Sequence, residues 1–165
     1  SDYTVACDQG IIDTDNKKIK STDLTSGLLK DKDSAEVTLV FTMANGTSIE
    51  KKVTLSKAAP QVKTVKLKND KEAFEVAVAN ATGNVYDAVK GLIEAKDQYG
   101  VDIASSATPR VTVTDIKKAT SSTIAVTNNG LSAATITNAT AGDVATITLT
   151  FAGGTTFKAK LVVGA

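Results

Sequence analysis

The chain has no histidine and no tryptophan, a single cysteine (Cys7), a single arginine (Arg110) and two prolines, and aromatics supply 4% of its 165 residues. Without histidine it lacks the commonest general base, the commonest metal ligand, and the Ser–His and Cys–His pairs of nucleophilic enzymes. Scarce aromatics leave no stacking platform for sugars or bases. With almost all positive charge on lysine, planar bidentate grips on phosphate or carboxylate are poorly supplied. Acids and bases nearly cancel, at net +1, so no electrostatic footprint for nucleic acid or an acidic membrane is present. Cys7 has no partner for an intramolecular disulfide and reads as a small buried hydrophobe. No apolar run approaches the ~18 residues of a transmembrane helix. Ser1-Asp-Tyr-Thr4 opens with neither a basic nor an apolar signal region, so a secreted parent would make this a mature or excised segment. These absences point away from an enzyme.

What is present is a repeat. Residues 37–55, Val-Thr-Leu-Val-Phe-Thr-Met-Ala-Asn-Gly-Thr-Ser-Ile-Glu-Lys-Lys-Val-Thr-Leu, align without a gap on residues 145–163, Ala-Thr-Ile-Thr-Leu-Thr-Phe-Ala-Gly-Gly-Thr-Thr-Phe-Lys-Ala-Lys-Leu-Val-Val. Each copy alternates apolar residues with polar ones, mostly threonine, up to a glycine turn and then returns as a second strand. Duplication of this kind marks a modular array.

Period-two runs continue elsewhere. Val62–Lys68, Phe74–Val78, Val111–Val113, Thr123–Val126 and Thr135–Thr137 read as strands with one buried face. Threonine suits the outer face because its branched Cβ fits the pleat while its hydroxyl stays hydrated. Exposed lysines on strands oppose edge-to-edge aggregation. Asn45-Gly46, Asn69-Asp70, Thr82-Gly-Asn84, Tyr99-Gly100, Asn129-Gly130 and Gly153-Gly154 punctuate the runs as turns. The expected fold class is all-β, built as sandwiches. Val85–Lys96 carries helical spacing through Tyr86, Val89 and Ile93, but Gly91 weakens a helix there, and its later half is expected as strand. Thr22–Lys30 is expected to hold a short helical turn. Ser56-Lys-Ala-Ala-Pro60 reads as a linker, since proline cannot continue a central strand. It divides the chain into 1–60 and 61–165. The second is of ordinary sandwich size; the first is short, either a smaller variant or truncated, and a cut module would expose an unpaired sheet edge.

The motifs that suggest chemistry have ordinary readings beside them. Asp13-Thr-Asp15-Asn16 offers alternate oxygens, as a calcium loop does, but lacks the glycine and distal glutamate, and Lys17-Lys18 oppose a cation. It reads as a solvated turn. Asp97 and Asp102 bracket Tyr99-Gly100 as carboxylates at a module end. Ser48-Ile-Glu-Lys51 matches Ser-x-x-Lys, which needs one helical turn between the pair; on a strand the two side chains lie on opposite faces. Asn45-Gly-Thr47, Asn80-Ala-Thr82 and Asn138-Ala-Thr140 are formal glycosylation acceptors at expected turns. Lys63, Lys66 and Lys68 read as a solvated face. No catalytic, cofactor or metal residue is assigned.

Leu92-Ile-Glu-Ala-Lys-Asp-Gln-Tyr-Gly-Val101 resembles the surface-layer (S-layer) proteins of Gram-positive bacilli, whose tandem Ig-like domains end a strand in an Ala-x-Asp-Gln-Tyr-Gly turn. Gly142-Asp-Val-Ala-Thr-Ile-Thr-Leu-Thr-Phe-Ala-Gly-Gly154 is similar to the closing hairpin of those modules, and Ala6-Cys-Asp-Gln-Gly10 echoes the turn without its tyrosine. The resemblance covers 61–165 well and 1–60 in part. It implies two tandem Ig-like β-sandwich modules, the first short or truncated, in a structural protein of the bacterial cell surface that self-assembles into a two-dimensional lattice. The partners implied are other copies of the protein and flanking domains of its parent chain, with no nucleic acid and no membrane insertion. Calcium is the structural ion that the resemblance implies. The family's usual wall anchor, a set of S-layer homology modules, is not evident. Related Ig-like repeats also serve as ligand-binding modules of adhesins and as spacers in cell-wall enzymes, which is the alternative.

Overall fold

Apolar residues alternating with threonine and other polar residues lay strands along half of the chain. In the computed structural model, which describes residues 3–20 and 24–164, strands take 50% and helices 11%. The chain divides into two compact units, Ser1–Ala59 and Pro60–Ala165.

Unit 1 holds β1 (Tyr3–Cys7), β2 (Ile12–Asp13), β3 (Lys18–Ile19), β4 (Ser34–Met43) and β5 (Ser48–Ser56). β1, β4 and β5 form an antiparallel sheet in that order, and β2 and β3 form a separate small hairpin. One turn of π-helix spans Leu24–Leu28, within the segment expected to be helical; Thr22 and Asp23 lie outside the described residues. Among the described residues, Val5, Ile11, Leu29 and Val37 are the buried hydrophobics of this unit.

Unit 2 holds β6 (Val62–Leu67), β7 (Ala73–Ala77), β8 (Gly83–Asn84), β9 (Ile93–Asp97), β10 (Arg110–Lys117), β11 (Ala125–Thr127), β12 (Thr135–Thr137), β13 (Val144–Thr150) and β14 (Thr156–Gly164). The principal sheet runs β10–β13–β14–β7, with β7 parallel to β14. β6 pairs with β9, and β11–β12–β8 form a third sheet. Phe74, Val89, Ile93, Val111, Ile147 and Leu149 have no exposed surface and lie in one cluster with Ile136, Leu161 and Val163. The sequence Val85–Lys96 divides: Val85–Val89 is helical, capped by the Asn84 side chain accepting from the Asp87 N–H, and the later half is strand β9. Tyr86 keeps its ring in the core and donates its hydroxyl to the Ala104 carbonyl at 2.7 Å. Burial, with the charge of Asp102 adding to it, pushes that phenol up to about 12.

The repeated hairpins share one geometry. Thr42 faces Ser48 as Thr150 faces Thr156, and the matched pairing runs without slip back to Glu36↔Thr54 in one hairpin and Val144↔Val162 in the other. The loops close alike: the Met43 and Phe151 N–H groups bond the Thr47 and Thr155 carbonyls, and the Gly46 and Gly154 N–H groups bond back to Met43 and Phe151. Turn geometry sets register in a hairpin. The left-handed residue of the first loop is Gly46 at φ 83, and Asn45 instead accepts the Thr47 N–H at 3.0 Å; in the second loop Gly153 and Gly154 are both left-handed. A Cβ at position 46 meets nothing within 4 Å, so the cost of Gly46→Ala is backbone strain alone. It is expected to be about 1 kcal/mol, read from the urea dependence of hydrogen exchange in β4.

The turn signal Thr82-Gly-Asn84 became β8, a two-residue strand pairing Gly83 and Asn84 with Ile136 and Thr135. Long-range pairing overrode the local glycine signal there. Cys7, expected to be buried, is half-buried beside Asp8, with Sγ 3.5 Å from its Oδ1.

Candidate functional site

Three carboxylates of unit 2 act on the backbone. Asp97 is buried, and its Oδ1 accepts the N–H groups of Tyr99 and Val101, each at 2.9 Å, which closes the Asp-Gln-Tyr-Gly turn. Asp102 Oδ1 accepts from Ala95 at 3.1 Å and Ala104 at 3.0 Å, while its Oδ2 lies 3.8 Å from Lys68 Nζ. Asp143 has no exposed surface. Its Oδ1 accepts the Ala119 N–H at 2.7 Å, and its Oδ2 accepts the Thr140 N–H and the Ser122 hydroxyl, each at 2.8 Å. Burial alone would raise the pKa values of Asp102 and Asp143, yet the N–H donors outweigh it and lower both. Each of these acids ties a loop to a strand end.

Asp143 was not singled out by motif. The signal in the sequence is isolation: it is the sole charged residue between Lys118 and Lys158. A lone acid in a neutral stretch requires local donors if it is to be buried.

Asp13 forms a comparable turn at the surface, with Oδ1 accepting from the Asp15 and Asn16 N–H groups and Oδ2 from the Asn16 side chain. Lys17 sits over the Tyr3 ring at 4.0 Å. No group of three or more His, Cys, Asp or Glu side chains suited to a metal occurs among the described residues. Ser48 and Lys51 both lie on β5; Ser48 exchanges a hydrogen bond with Thr42, and Lys51 projects from the opposite face. Asn45 and Asn138 are exposed at turns, and Asn80 is exposed on the short helix Val78–Ala81. Lys66 and Lys96 both grip Glu94 at 3.1 Å, which lowers the pKa of that carboxyl, Lys66 contributing first. Among the described residues no helix is long and apolar enough to cross a membrane.

The feature that separates the two units is the coverage of matched sheet faces. In unit 1 one face carries Tyr3, Val5 and Cys7 from β1, then Ala35, Val37, Leu39, Phe41 and Met43 from β4, and Ile49, Val53 and Leu55 from β5, interrupted by Lys51. The other face carries Thr4, Thr38, Thr42, Ser48, Lys52 and Thr54. In unit 2 the counterparts Ala145, Ile147, Leu149, Leu161 and Val163 are at most 2% exposed. In unit 1 only Val37 of the hairpin is buried; Leu39, Phe41, Val53 and Leu55 are half-buried, and Met43 and Ile49 are 37% and 53% exposed. The same hairpin, in the same register, is thus a closed core in one unit and a half-open apolar face in the other.

No protein-family model and no curated protein matches the chain.

Proposed function

We propose that the chain is a structural segment of a bacterial S-layer protein, composed of tandem Ig-like modules, the first short, that contribute to a self-assembling two-dimensional lattice on the cell surface. The observation that carries the reading is the hairpin repeated in one register within two compact units. Repetition of a β-module supplies rigid, evenly spaced beads. It fits with the resemblance of Leu92–Val101 to the turn of that family and with a composition poor in catalytic side chains. The role is spacing and lateral contact, in which many weak patches repeated by symmetry add up to a stable array. Calcium serves as a structural ion in this reading, and the partners are other copies and flanking domains of the parent protein.

Sedimentation velocity tests this directly. At about 1 mM calcium, the affinity range of extracellular calcium modules, the protein is expected to grow into large assemblies that a chelator reverses. A monomer under both conditions removes the lattice role and leaves the adhesin or spacer reading in its place.

A further inference from the structure

In unit 2 the hairpin β13–β14 is flanked on both sides: β10 pairs with β13, and β7 pairs in parallel with β14 from Lys160↔Ala73 to Gly164↔Ala77. In unit 1 the matching hairpin has β1 beside β4, but no strand among the described residues pairs with the outer edge of β5. The Met43 N–H bonds Thr47 at the hairpin end. Antiparallel alternation therefore turns the backbone groups of Ile49, Lys51, Val53 and Leu55 toward β4, and those of Glu50, Lys52 and Thr54 outward. Lys52 and Thr54 are exposed, so a ladder position that β14 uses is open on β5.

We propose that this edge receives a parallel strand from a partner polypeptide, an extended segment with apolar residues at alternate positions and an acid between them, which completes the sheet of unit 1 as β7 completes that of unit 2. The specification of the strand comes from β7 itself. Phe74 and Val76 face Leu161 and Val163 and are buried with them. The unit 1 counterparts of Leu161 and Val163 are Val53 and Leu55, both half-buried, so apolar residues at those two positions of an incoming strand extend an apolar face that already exists. Glu75 lies between them, opposite Val162 and diagonal to Lys160, with its carboxylate on Lys71 Nζ at 2.7 Å. Lys52 is the counterpart of Lys160, so an acid at that place on the incoming strand meets a cation. Lys52 now pairs with Glu36 at 3.0 Å, both side chains being largely exposed, and such a pair is worth little and is easily exchanged.

The charge of the edge adds a weak bias against a second copy of β5. Glu50, Lys51 and Lys52 are all exposed and leave the edge with one net positive charge, so two such edges brought together repel only weakly. Main-chain hydrogen bonds supply the affinity in strand addition, and the alternate side chains supply the specificity.

The test uses the whole chain and a capped synthetic peptide with the sequence of residues 70–79, Asp-Lys-Glu-Ala-Phe-Glu-Val-Ala-Val-Ala. Amide hydrogen exchange is followed by NMR. Saturating peptide is expected to slow exchange at Lys52 and Thr54 by about tenfold or more, while the Lys160 and Val162 amides of β14 stay protected throughout. A peptide carrying Asp in place of both Phe74 and Val76 is expected to leave β5 unchanged. The chain variant Thr54→Pro, which removes an outward N–H and spares the pairing with β4, is expected to lose the response to the first peptide. A Kd weaker than about 1 mM with no protection at Lys52 and Thr54 overturns the proposal. So does protection of those amides together with dimerisation when no peptide is present, which assigns the edge to a second copy.

Discussion

Truncating Ile147 to alanine is expected to cost unit 2 about 3 kcal/mol, whereas truncating its counterpart Leu39 costs unit 1 about 1 kcal/mol or less. The two residues hold the same place in the same hairpin: Ile147 faces Ala159 as Leu39 faces Lys51. Their surroundings differ. Ile147 has no exposed surface and packs within the cluster formed by Phe74, Val113, Leu149 and Leu161. Removing its outer carbons forfeits transfer free energy and leaves a cavity that rigid neighbouring strands cannot close. Leu39 is half-buried beside Cys7 and Lys51, so water already meets part of the side chain and no enclosed void is left. Unfolding of a two-unit chain is not one transition. The measurement is therefore urea-dependent hydrogen exchange read separately at the β13 and β4 amides. Equal losses would mean that the apolar face of unit 1 is covered in solution, and would count against strand addition at β5 as well.

Replacing Asp143 by alanine is expected to destabilise unit 2 by about 3 kcal/mol near neutral pH, since hydrogen bonds to a charged group are worth about 1.5–3 kcal/mol each and are not additive. Three donors from two loops converge on this carboxylate. The segment Ala119–Ser122 has no strand of its own, and two of those donors, the Ala119 N–H and the Ser122 hydroxyl, hold it in place. Although Asp143 itself is fully covered, Ala119 and Ser122 are half-exposed and Thr140 is exposed. Water can therefore reach some of the donors once the carboxylate is gone, which keeps the loss below that of a sealed polar site. Asp143→Asn is expected to recover only part of the loss, because its amide nitrogen would face an N–H or hydroxyl donor.

The pH dependence follows from the direction of the shift. Burial acts to raise the Asp143 pKa, and the Ala119 and Thr140 N–H groups, the Ser122 hydroxyl and Lys118 together lower it below the ordinary value of 3.8. A carboxyl with a lower pKa in the folded state stabilises above its unfolded pKa, and that contribution is lost as pH falls through the folded value, because the unfolded chain binds the proton first. Asp102 behaves in the same sense through the Ala95 and Ala104 N–H groups and Lys68 and Lys96. Unit 2 is therefore expected to lose stability with acid below about pH 4. Asp143→Ala should flatten that slope, and acid titration of the exchange midpoints in β13 and β14 measures it.

Local chemistry carried much of the chain's secondary structure. The alternation in 145–151, the threonine outer face and the Asn-Gly and Gly-Gly turns act over a few residues, and β13, β14 and their loop formed where those signals stand. Hairpin register is local too, since the loop length sets it, which is why both copies pair identically. The helix Val85–Val89 and strand β9 share one ambiguous stretch in which Gly91 marks the break, while Asn84, expected only as part of a turn, caps the helix.

Three matters were settled only by residues distant in sequence. Whether an apolar face becomes a core depends on what lies over it: Ile147 and Leu39 carry equivalent patterns, but the first is enclosed and the second is not. The parallel placement of β7 on β14 has no local signal, because a parallel pair has no connecting turn to announce it. The role of Asp143 depends on the Ala119 N–H and the Ser122 hydroxyl, 24 and 21 residues away, whereas Asp97 and Asp102 meet donors within seven residues. An acid beside a turn has the same sequence appearance whether donors or a cation will meet it. The sequence by itself determined strands, turns and hairpin register, because these arise from neighbours along the chain. The tertiary structure decided burial, the sheet edges and the partners of Asp143, because solvent exclusion and long-range pairing belong to the assembled sheets.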